Sequence, residues 1–559
     1  MSRERVGRRS RRKAARSDSP PPVRRRAGGR PGIDEASAST RWAAIVVVAA
    51  IVVGLLVAGG GDGSGARAEL AQQRAPLATA GDDEALTSTW YCAGGTLGEE
   101  TFADHTVVLA NPGPVEAMVD LTSFAVVAPE PIVVDLDTSE DIAADLVLEA
   151  PEVAPAAQVT TPVVVPPASV QRIRIADLEG IAGDTVAVLV ESDAGSLIAE
   201  HIVSGPDGAA MAPCASTSAD RWVFAGGTTR RQARQVLSVF NPFPGDAVVD
   251  VTFTTDGARR SPQIYDGLVV PSGSVLPIDI TGVVTLFDVV SADVTVRTGR
   301  VVTDRLVTFA ADAGAGGLST ASGASVPAGT WVFGARSDAP VADAIVVYNP
   351  GEREAVVDIE VRLDRPDENG FIEPIGITVR AGRTEVVLLA GDAERIGQAR
   401  LVDATDRLPE GVDYWAAVRS INGVAVVADR ISVGPPDAPA DAAVSPGVAA
   451  AATRHLTTSG DGVGEIVLVN PASDRIAAIS MTAHVDGAVF ELAGTEVAPL
   501  GRTVIDLAAL GVPADAVVVI DATEPVVGER RVAIGSAGLT SSPTVPVATT
   551  VTGIDLPVG

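Results

Sequence analysis

The chain has 559 residues, of which 46 % are hydrophobic and only 4 % aromatic, with 56 Gly and 38 Pro. This composition is too apolar for a disordered chain, and its many turn residues favour short strands over long helices. Residues 1–41 carry thirteen basic and four acidic side chains, whereas the rest of the chain carries 29 basic and 67 acidic ones. Such an acidic body repels phosphate, which argues against a nucleic-acid partner.

A candidate membrane span follows the basic tail. WAAIVVVAAIVVGLLVAGGG (42–61) contains no charged residue. A helix rises about 1.5 Å per residue, so this segment can cross a hydrocarbon core of about 30 Å. The positive-inside rule places residues 1–41, which we expect to be disordered, in the cytoplasm and residues 62–559 outside. The sequence therefore predicts a single-pass signal anchor, with the lipid membrane as the partner of residues 42–61.

A cleavable signal peptide is the alternative, because Ala66-Arg67-Ala68 weakly matches a cleavage motif. The basic region and the apolar run are both long, and the triplet lies well beyond the end of the run. These lengths favour an anchor that stays uncleaved. Residues 62–87 are rich in Gly, Ala and Asp, which predicts a flexible linker.

One pattern occurs four times after the linker. Each copy contains an Asn-Pro step at the end of an apolar strand, and the four Asn residues are Asn111, Asn241, Asn349 and Asn470. The first three copies open on Trp90, Trp222 and Trp331, whereas the fourth has RHLTT (454–458). We expect each Asn side chain to cap its strand, each Pro to end ladder pairing, and each Trp ring to lie in a core. These repeated residues are therefore predicted to be structural.

Each copy closes on a Val-rich segment that contains an acidic and then a basic residue. The pairs are Asp304-Arg305, Asp429-Arg430 and Glu529-Arg530, and the first copy has Glu200-His201 instead. Successive strand residues face opposite sides. One member of each pair should therefore face the core or another domain and be paired there, because an unpaired buried charge is costly.

The copies start roughly 110–130 residues apart. This spacing is too long for a propeller blade of about 40–50 residues and suits a β-sandwich of about 100. The second copy contains seven candidate strands, among them QIYDGLVV (263–270). The sequence therefore predicts an all-β fold with about four tandem immunoglobulin-like β-sandwiches after the transmembrane helix. The predicted units span 88–218, 219–327, 328–448 and 449–559.

The two cysteines, Cys92 and Cys214, both follow the predicted membrane span. An exported compartment is oxidising, so we expect a disulfide bond between them. A zinc site would need more ligands at close spacing.

We find no local catalytic motif. The four histidines, two in the first predicted unit and two in the fourth, form no H-E-x-x-H pattern, and the sequence has no G-x-S-x-G elbow or nucleotide-binding loop. We therefore predict that the protein is not an enzyme and has no cofactor or metal. An acidic cluster formed by Asp135, Asp137, Glu140 and Asp141 offers ligands for Ca²⁺, but it lacks the EF-hand spacing, which favours a solvated loop.

The Asn-Pro, Ile-Asp-Leu and Val-Val-x-Asp/Glu-Arg elements give the chain a resemblance to a family of exported, membrane-anchored actinobacterial proteins catalogued as a domain of unknown function. The resemblance covers about 88–559, including the W-x-C sequence at Trp90 and the later Cys214. It implies a cell-envelope location and a β-rich ectodomain, and it supplies no catalytic residues.

Three functional hypotheses follow. The first is a non-enzymatic scaffold or interaction protein of the cell envelope, with envelope proteins or wall polysaccharide as partners. The second is a glycan-binding surface protein, although few aromatic residues are present to stack on sugars. The third is a wall-active glycoside hydrolase whose two catalytic carboxylates are distant in the sequence. No local motif supports this hypothesis. We rank them in this order.

Overall fold

A computed structural model describes residues 78–82, 84–98, 101–128, 151, 153, 157–255, 258–309, 316–334, 340–364, 372–397, 401–409, 411–434, 442–460, 464–534 and 539–556. The fold is all-β, as predicted, and the described residues contain one short α-helix, α1 (Ala393–Ile396). The predicted membrane span at 42–61 and the acidic cluster at 135–141 lie outside the described residues. Within those residues, no helix is long and apolar enough to cross a membrane.

The strands form four consecutive groups, which we call modules 1 to 4. Module 1 contains β1 (Ser88–Cys92), β2 (Asp104–Asn111), β3 (Ala117–Val126), β4 (Ala157–Val165), β5 (Ser169–Arg174), β6 (Thr185–Ser192), β7 (Ile198–Gly205) and β8 (Gly208–Pro213). Module 2 contains β9 (Arg221–Phe224), β10 (Arg234–Asn241), β11 (Ala247–Thr254), β12 (Arg259–Arg260), β13 (Leu268–Val270), β14 (Ser274–Asp279), β15 (Ser291–Thr298), β16 (Val302–Phe309) and β17 (Gly317–Ser322).

Modules 3 and 4 repeat this organisation. Module 3 contains β18 (Thr330–Phe333), β19 (Ala342–Asn349), β20 (Ala355–Leu363), β21 (Ile375–Val379), β22 (Arg383–Gly391), β23 (Leu401–Asp403), β24 (Tyr414–Ser420), β25 (Val427–Val433) and β26 (Ala442–Pro446). Module 4 contains β27 (Ala450–Thr458), β28 (Gly464–Val469), β29 (Ala477–Val485), β30 (Ala488–Val497), β31 (Arg502–Asp506), β32 (Val517–Ala533), β33 (Leu539–Pro543), β34 (Val545–Pro546) and β35 (Val551–Gly553).

All four modules share one strand order. In module 1, one sheet has the order β1-β6-β3-β4 and the other β5-β2-β7-β8. Module 2 follows the same order with β12 and β13 both at the fourth position, and module 3 adds β23 beside its fifth strand. In module 4 the long strand β32 serves as both the sixth and the seventh strand, because its two halves pair with different sheets. The buried side chains of each module's two sheets form a common core.

The last principal strand of each module lies at the centre of the molecule. β8 contacts β17, β17 contacts β26, β26 contacts β33, and β33 contacts β8. These strands consist mainly of Gly, Ala, Ser, Thr and Pro. Small side chains allow neighbouring backbones to approach closely. The four modules are therefore arranged in a closed ring around these strands.

Thr79 and Ala80, within the linker predicted for residues 62–87, are fixed by contacts with the modules. The backbone N–H of Ala80 donates to the carbonyl of Pro546, and the carbonyl of Ala80 accepts from Ala548, at 3.0 and 2.9 Å. The N–H of Thr79 donates to the hydroxyl of Ser216 at 3.0 Å. Residues 79–80 are thus held by module 4 and by the segment that follows module 1, and they help to close the ring.

Candidate functional site

The acidic and basic pairs of the four seventh strands meet at the centre of the ring. We call these eight side chains the central charge ring: Glu200, His201, Asp304, Arg305, Asp429, Arg430, Glu529 and Arg530. Each of them is at most 5 % exposed. In each pair the acid lies in a contact between modules and is paired there, as predicted, and the basic member is buried as well. Both faces of the seventh strands are covered. On one face the acid contacts the preceding module, and each Arg also contacts side chains or carbonyls of its own module.

Each acid is bound by a residue at the end of the first strand of the module before it, or one or two residues after that strand. The N–H of Ala93 in module 1 donates to Asp304 at 2.9 Å, and the N–H of Gly226 in module 2 donates to Asp429 at 2.7 Å. The N–H of Gly334 in module 3 donates to Glu529 at 2.9 Å, and the Thr458 hydroxyl in module 4 donates to Glu200 at 2.6 Å. A hydrogen bond to the acid thus occurs at all four boundaries, from a backbone N–H at three of them and from a hydroxyl between the last module and the first.

Arginines form ion pairs across two of these boundaries. Arg305 of module 2 forms an ion pair with Asp429 of module 3 at 2.8 Å, and Arg530 of module 4 forms one with Glu200 of module 1 at 2.9 Å. Arg430 of module 3 binds Asp343 of its own module at 2.5 Å. Burial opposes its charge, but the carboxylates of Asp343 and Glu529 outweigh burial and hold the pKa of Arg430 above its ordinary value.

The boundary between modules 1 and 2 is different, because a histidine takes the arginine's place. Nε2 of His201 lies 3.9 Å from Asp304, too far for a hydrogen bond. The ring of His105 lies edge-on to His201 with the centroids 5.3 Å apart. Burial lowers the pKa of both imidazoles, so both are neutral at pH 7. Asp304 is held instead by Ala93 and by the hydroxyl of Ser322, which donates at 2.5 Å.

The four repeated Asn side chains have one structural role. The amide of Asn111 donates to the carbonyls of Val115 and Val165, and its oxygen accepts from the N–H of Gly113. Asn241, Asn349 and Asn470 make the same three kinds of contact. Each Asn therefore closes the turn after the second strand and attaches it to the end of the fourth.

We expect Asn349→Asp to lower the free energy of unfolding by about 1–3 kcal/mol, because a carboxylate cannot donate to the carbonyls of Arg353 and Val379. Urea unfolding of the variant measures this loss. Asn422→Asp is the matched control, since Asn422 donates to a carbonyl in the same way but is exposed. An equal effect of the two changes would contradict this role.

The Trp and Cys residues are also buried. The indole N–H groups of Trp90, Trp222 and Trp331 donate to carbonyls that precede the seventh strand or lie at its start, at 2.8–3.1 Å.

Cys92 and Cys214 form a disulfide bond across 122 residues of sequence. It joins the first strand of module 1 to the segment after β8. Asp250, nine residues after Asn241, has a local role in module 2, where its carboxylate accepts from the N–H of Gly267 and from Arg297.

A third buried histidine, His455, makes the stability of the fold depend on pH. Burial lowers the pKa of His455 to about 4, against an ordinary value of 6.5. The unfolded chain therefore binds a proton first as the pH falls below 6.5, and stability is lost between pH 6.5 and 4. The difference between the pKa of His455 in the unfolded and the folded state corresponds to about 3 kcal/mol of stability. His105 and His201, whose pKa values are also lowered, act in the same direction.

We expect His455→Gln to reduce the loss of stability between pH 7 and pH 4 by about 3 kcal/mol. Urea unfolding of the variant and the unchanged chain at both pH values measures this difference. An identical pH dependence of the two proteins would show that His455 titrates normally in the fold.

The arrangement is suited to holding four modules together. Among the residues that the structure describes, no three His, Cys, Asp or Glu side chains are placed to hold a metal ion. Sequence reasoning identified the acid–base pairs but missed Asp343, His105 and the eighth strands. Four short segments of small residues, each following a Val-rich strand, were the signal for those strands.

The sequence profile of a family of unknown function (DUF5719) matches residues 201–508. This match confirms the resemblance to a family of unknown function. No curated protein matches the sequence. Two solved structures are similar to the chain over part of its length. The crystal structure of Thermotoga maritima 1070 is 12 % identical and covers 23 % of this chain and 94 % of its own, with a TM-score of 0.16.

The second is the Streptomyces avermitilis α-L-rhamnosidase complexed with L-rhamnose. It is 9 % identical and covers 68 % of this chain and 44 % of its own, with a TM-score of 0.13. At TM-scores this low, neither similarity bears on the fold or the function.

Proposed function

This chain belongs to the family of unknown function DUF5719, and we propose that it is a non-enzymatic scaffold or interaction protein of the cell envelope. The observation that carries this proposal is the central charge ring. It joins every module to the next, and module 4 to module 1, through buried hydrogen bonds at all four boundaries and ion pairs at two of them. Such contacts give four modules a fixed arrangement, which a protein that presents several surfaces to partners needs.

We further propose that residues 42–61 anchor the protein in the cytoplasmic membrane, with residues 1–41 inside and the modules outside. The uncharged segment and the arginines before it support this topology. The disulfide supports an oxidising compartment. The partners are envelope proteins or wall polysaccharide, reached from a body whose acidic surface disfavours nucleic acid.

Each module is, in this proposal, an immunoglobulin-like sandwich with the limits predicted from the sequence. The two-sheet architecture and the module length support this class. The strand order is a variant, because the second strand lies between the fifth and seventh. In an immunoglobulin constant domain, the second strand lies between the first and fifth.

Photo-crosslinking in the native host tests the scaffold proposal. Lys13 is the only lysine in the chain, so amine-reactive reagents cannot report on the modules. We would place a photoreactive amino acid at Val115, Ile421 or Phe490, which are each more than half exposed. We expect covalent capture of the same envelope component from at least one position. Failure of all three positions to yield a product above the level of a buried control at Val346 would contradict the proposal.

The anchor has a separate test. We expect the full-length chain to stay in the membrane fraction after an alkaline carbonate wash, because an uncharged segment of twenty residues partitions into lipid. Release of a body that begins near Glu69 would show that the segment is cleaved as a signal peptide.

A further inference from the structure

A cavity of about 590 Å³ lies between modules 1 and 2. This volume falls within the range of about 300–1,000 Å³ that is usual for small-ligand sites. Its walls come from both modules, with Phe102 on one side and Arg234, Ser238 and Tyr265 on the other. The cavity lies at the boundary where the central charge ring has a histidine in place of an arginine.

One residue of the wall breaks the repeat. Ser238 is paired with Asp304 across β10 and β16, and the corresponding partners of Glu200, Asp429 and Glu529 are Val108, Val346 and Val467. The Ser238 side chain is 1 % exposed, and its hydroxyl has no hydrogen-bond partner among the described residues. A buried hydroxyl without a partner costs stability. Three modules, including module 1 on the other side of the cavity, avoid this cost with Val, and only module 2 carries it.

The other polar groups of the wall are positioned by contacts within the protein. The guanidinium of Arg234 lies 4.0 Å from the centroid of the Phe102 ring and forms an ion pair with Asp279 at 2.7 Å. Asp184 accepts from the backbone N–H of Ala128 at 3.1 Å. These contacts fix the direction of the guanidinium and the carboxylates, which is how a site preorganises its donors and acceptors.

The chemistry of the wall selects a class of ligand. Carboxylates outnumber the one guanidinium, so an anionic ligand is disfavoured. Asp279 and Asp184 are already engaged by Arg234 and Ala128, so they do not form an uncompensated site for a cation. What the wall offers is a set of hydroxyl, carboxylate and guanidinium groups beside apolar side chains such as Val236 and Ile278. A neutral polyol with apolar C–H faces matches this combination.

We propose that the cavity between modules 1 and 2 binds a neutral saccharide, with the Ser238 hydroxyl bonded to a sugar hydroxyl and the Arg234–Asp279 pair bonded to its neighbours. Binding supplies the partner that Ser238 lacks. The proposal goes beyond the scaffold function and is independent of it, because a scaffold without a ligand would fold and capture its partners in the same way.

The test is saturation-transfer NMR on the full chain in a detergent without a sugar headgroup. The probes are the neutral methyl glycosides of glucose, galactose, mannose and arabinose, together with glucuronic acid and glucosamine. We expect at least one neutral glycoside to receive saturation from the protein, and Ser238→Val to weaken its binding about tenfold or more. The same variant should melt at a higher temperature, since Val removes the unpaired hydroxyl and is the residue of the other three modules.

Thr320→Val is the matched control. Thr320 is also buried, and its hydroxyl is unpaired among the described residues, but it lines a different and smaller cavity, which Trp331 and Asp429 also border. We expect this variant to bind like the unchanged chain. The proposal is overturned if no neutral glycoside binds, if Ser238→Val binds as well as the unchanged chain, or if a charged sugar binds more tightly than every neutral one.

Discussion

Replacing Arg530 by Met should lower the free energy of unfolding by about 3–5 kcal/mol, because it leaves the carboxylate of Glu200 buried without its cation. Among the described residues, Glu200 would keep the hydrogen bond from Thr458 alone. Met retains most of the volume of Arg, so the loss reports on charge more than on packing. Urea unfolding measures the change through Trp fluorescence.

Arg475→Met is the control for this prediction. Arg475 forms an ion pair with Glu524 at 2.6 Å, but its side chain is 61 % exposed. An exposed pair contributes about 0–1 kcal/mol, so this change should have little effect. If the two Arg variants differed by less than about 0.5 kcal/mol, the central charge ring would not stabilise the fold.

Removal of the disulfide by Cys92→Ala together with Cys214→Ala should cost about 2–5 kcal/mol. The bond closes a loop of 122 residues, and a long loop loses much entropy when its ends are joined. Both sulfurs are buried, and the Ala side chains would also leave space in the core of module 1.

Reductant separates these two contributions. In the unchanged chain, dithiothreitol in the unfolding buffer should remove the part of the stability that comes from the covalent bond. The double variant should be insensitive to the same reductant. A chain whose unfolding midpoint is equal with and without reductant would show that the disulfide does not contribute.

Local chemistry explains what the sequence predicted well. Asn111 and its counterparts stand next to Pro at a strand end, and that pattern specifies a turn wherever it occurs. The all-β class followed from the same kind of local pattern, with Val-rich segments between turn residues. QIYDGLVV was predicted as one strand, but residues 263–265 form a 3₁₀ turn and only Leu268–Val270 is a strand. Tyr265 is buried by this turn, which periodicity alone cannot indicate.

Long-range contacts explain what the sequence could not predict. β17 has the sequence GLSTAS, which lacks apolar alternation because it contacts the eighth strands of other modules. Arg530 and Glu200 are 330 residues apart, so nothing near either residue indicates the partner. The replacement of arginine by His201 was visible in the sequence. Its consequence, a boundary without an ion pair and next to a cavity, required the arrangement of the modules.

The closure of the ring is tested most directly by a double-mutant cycle on Glu200 and Arg530. The free energy of unfolding is measured for the unchanged chain, Glu200→Gln, Arg530→Met and the double variant. If module 4 contacts module 1 as described, the two changes are coupled by about 2 kcal/mol or more, within the range seen for buried charge pairs. Additive effects within about 0.5 kcal/mol would contradict the closed ring.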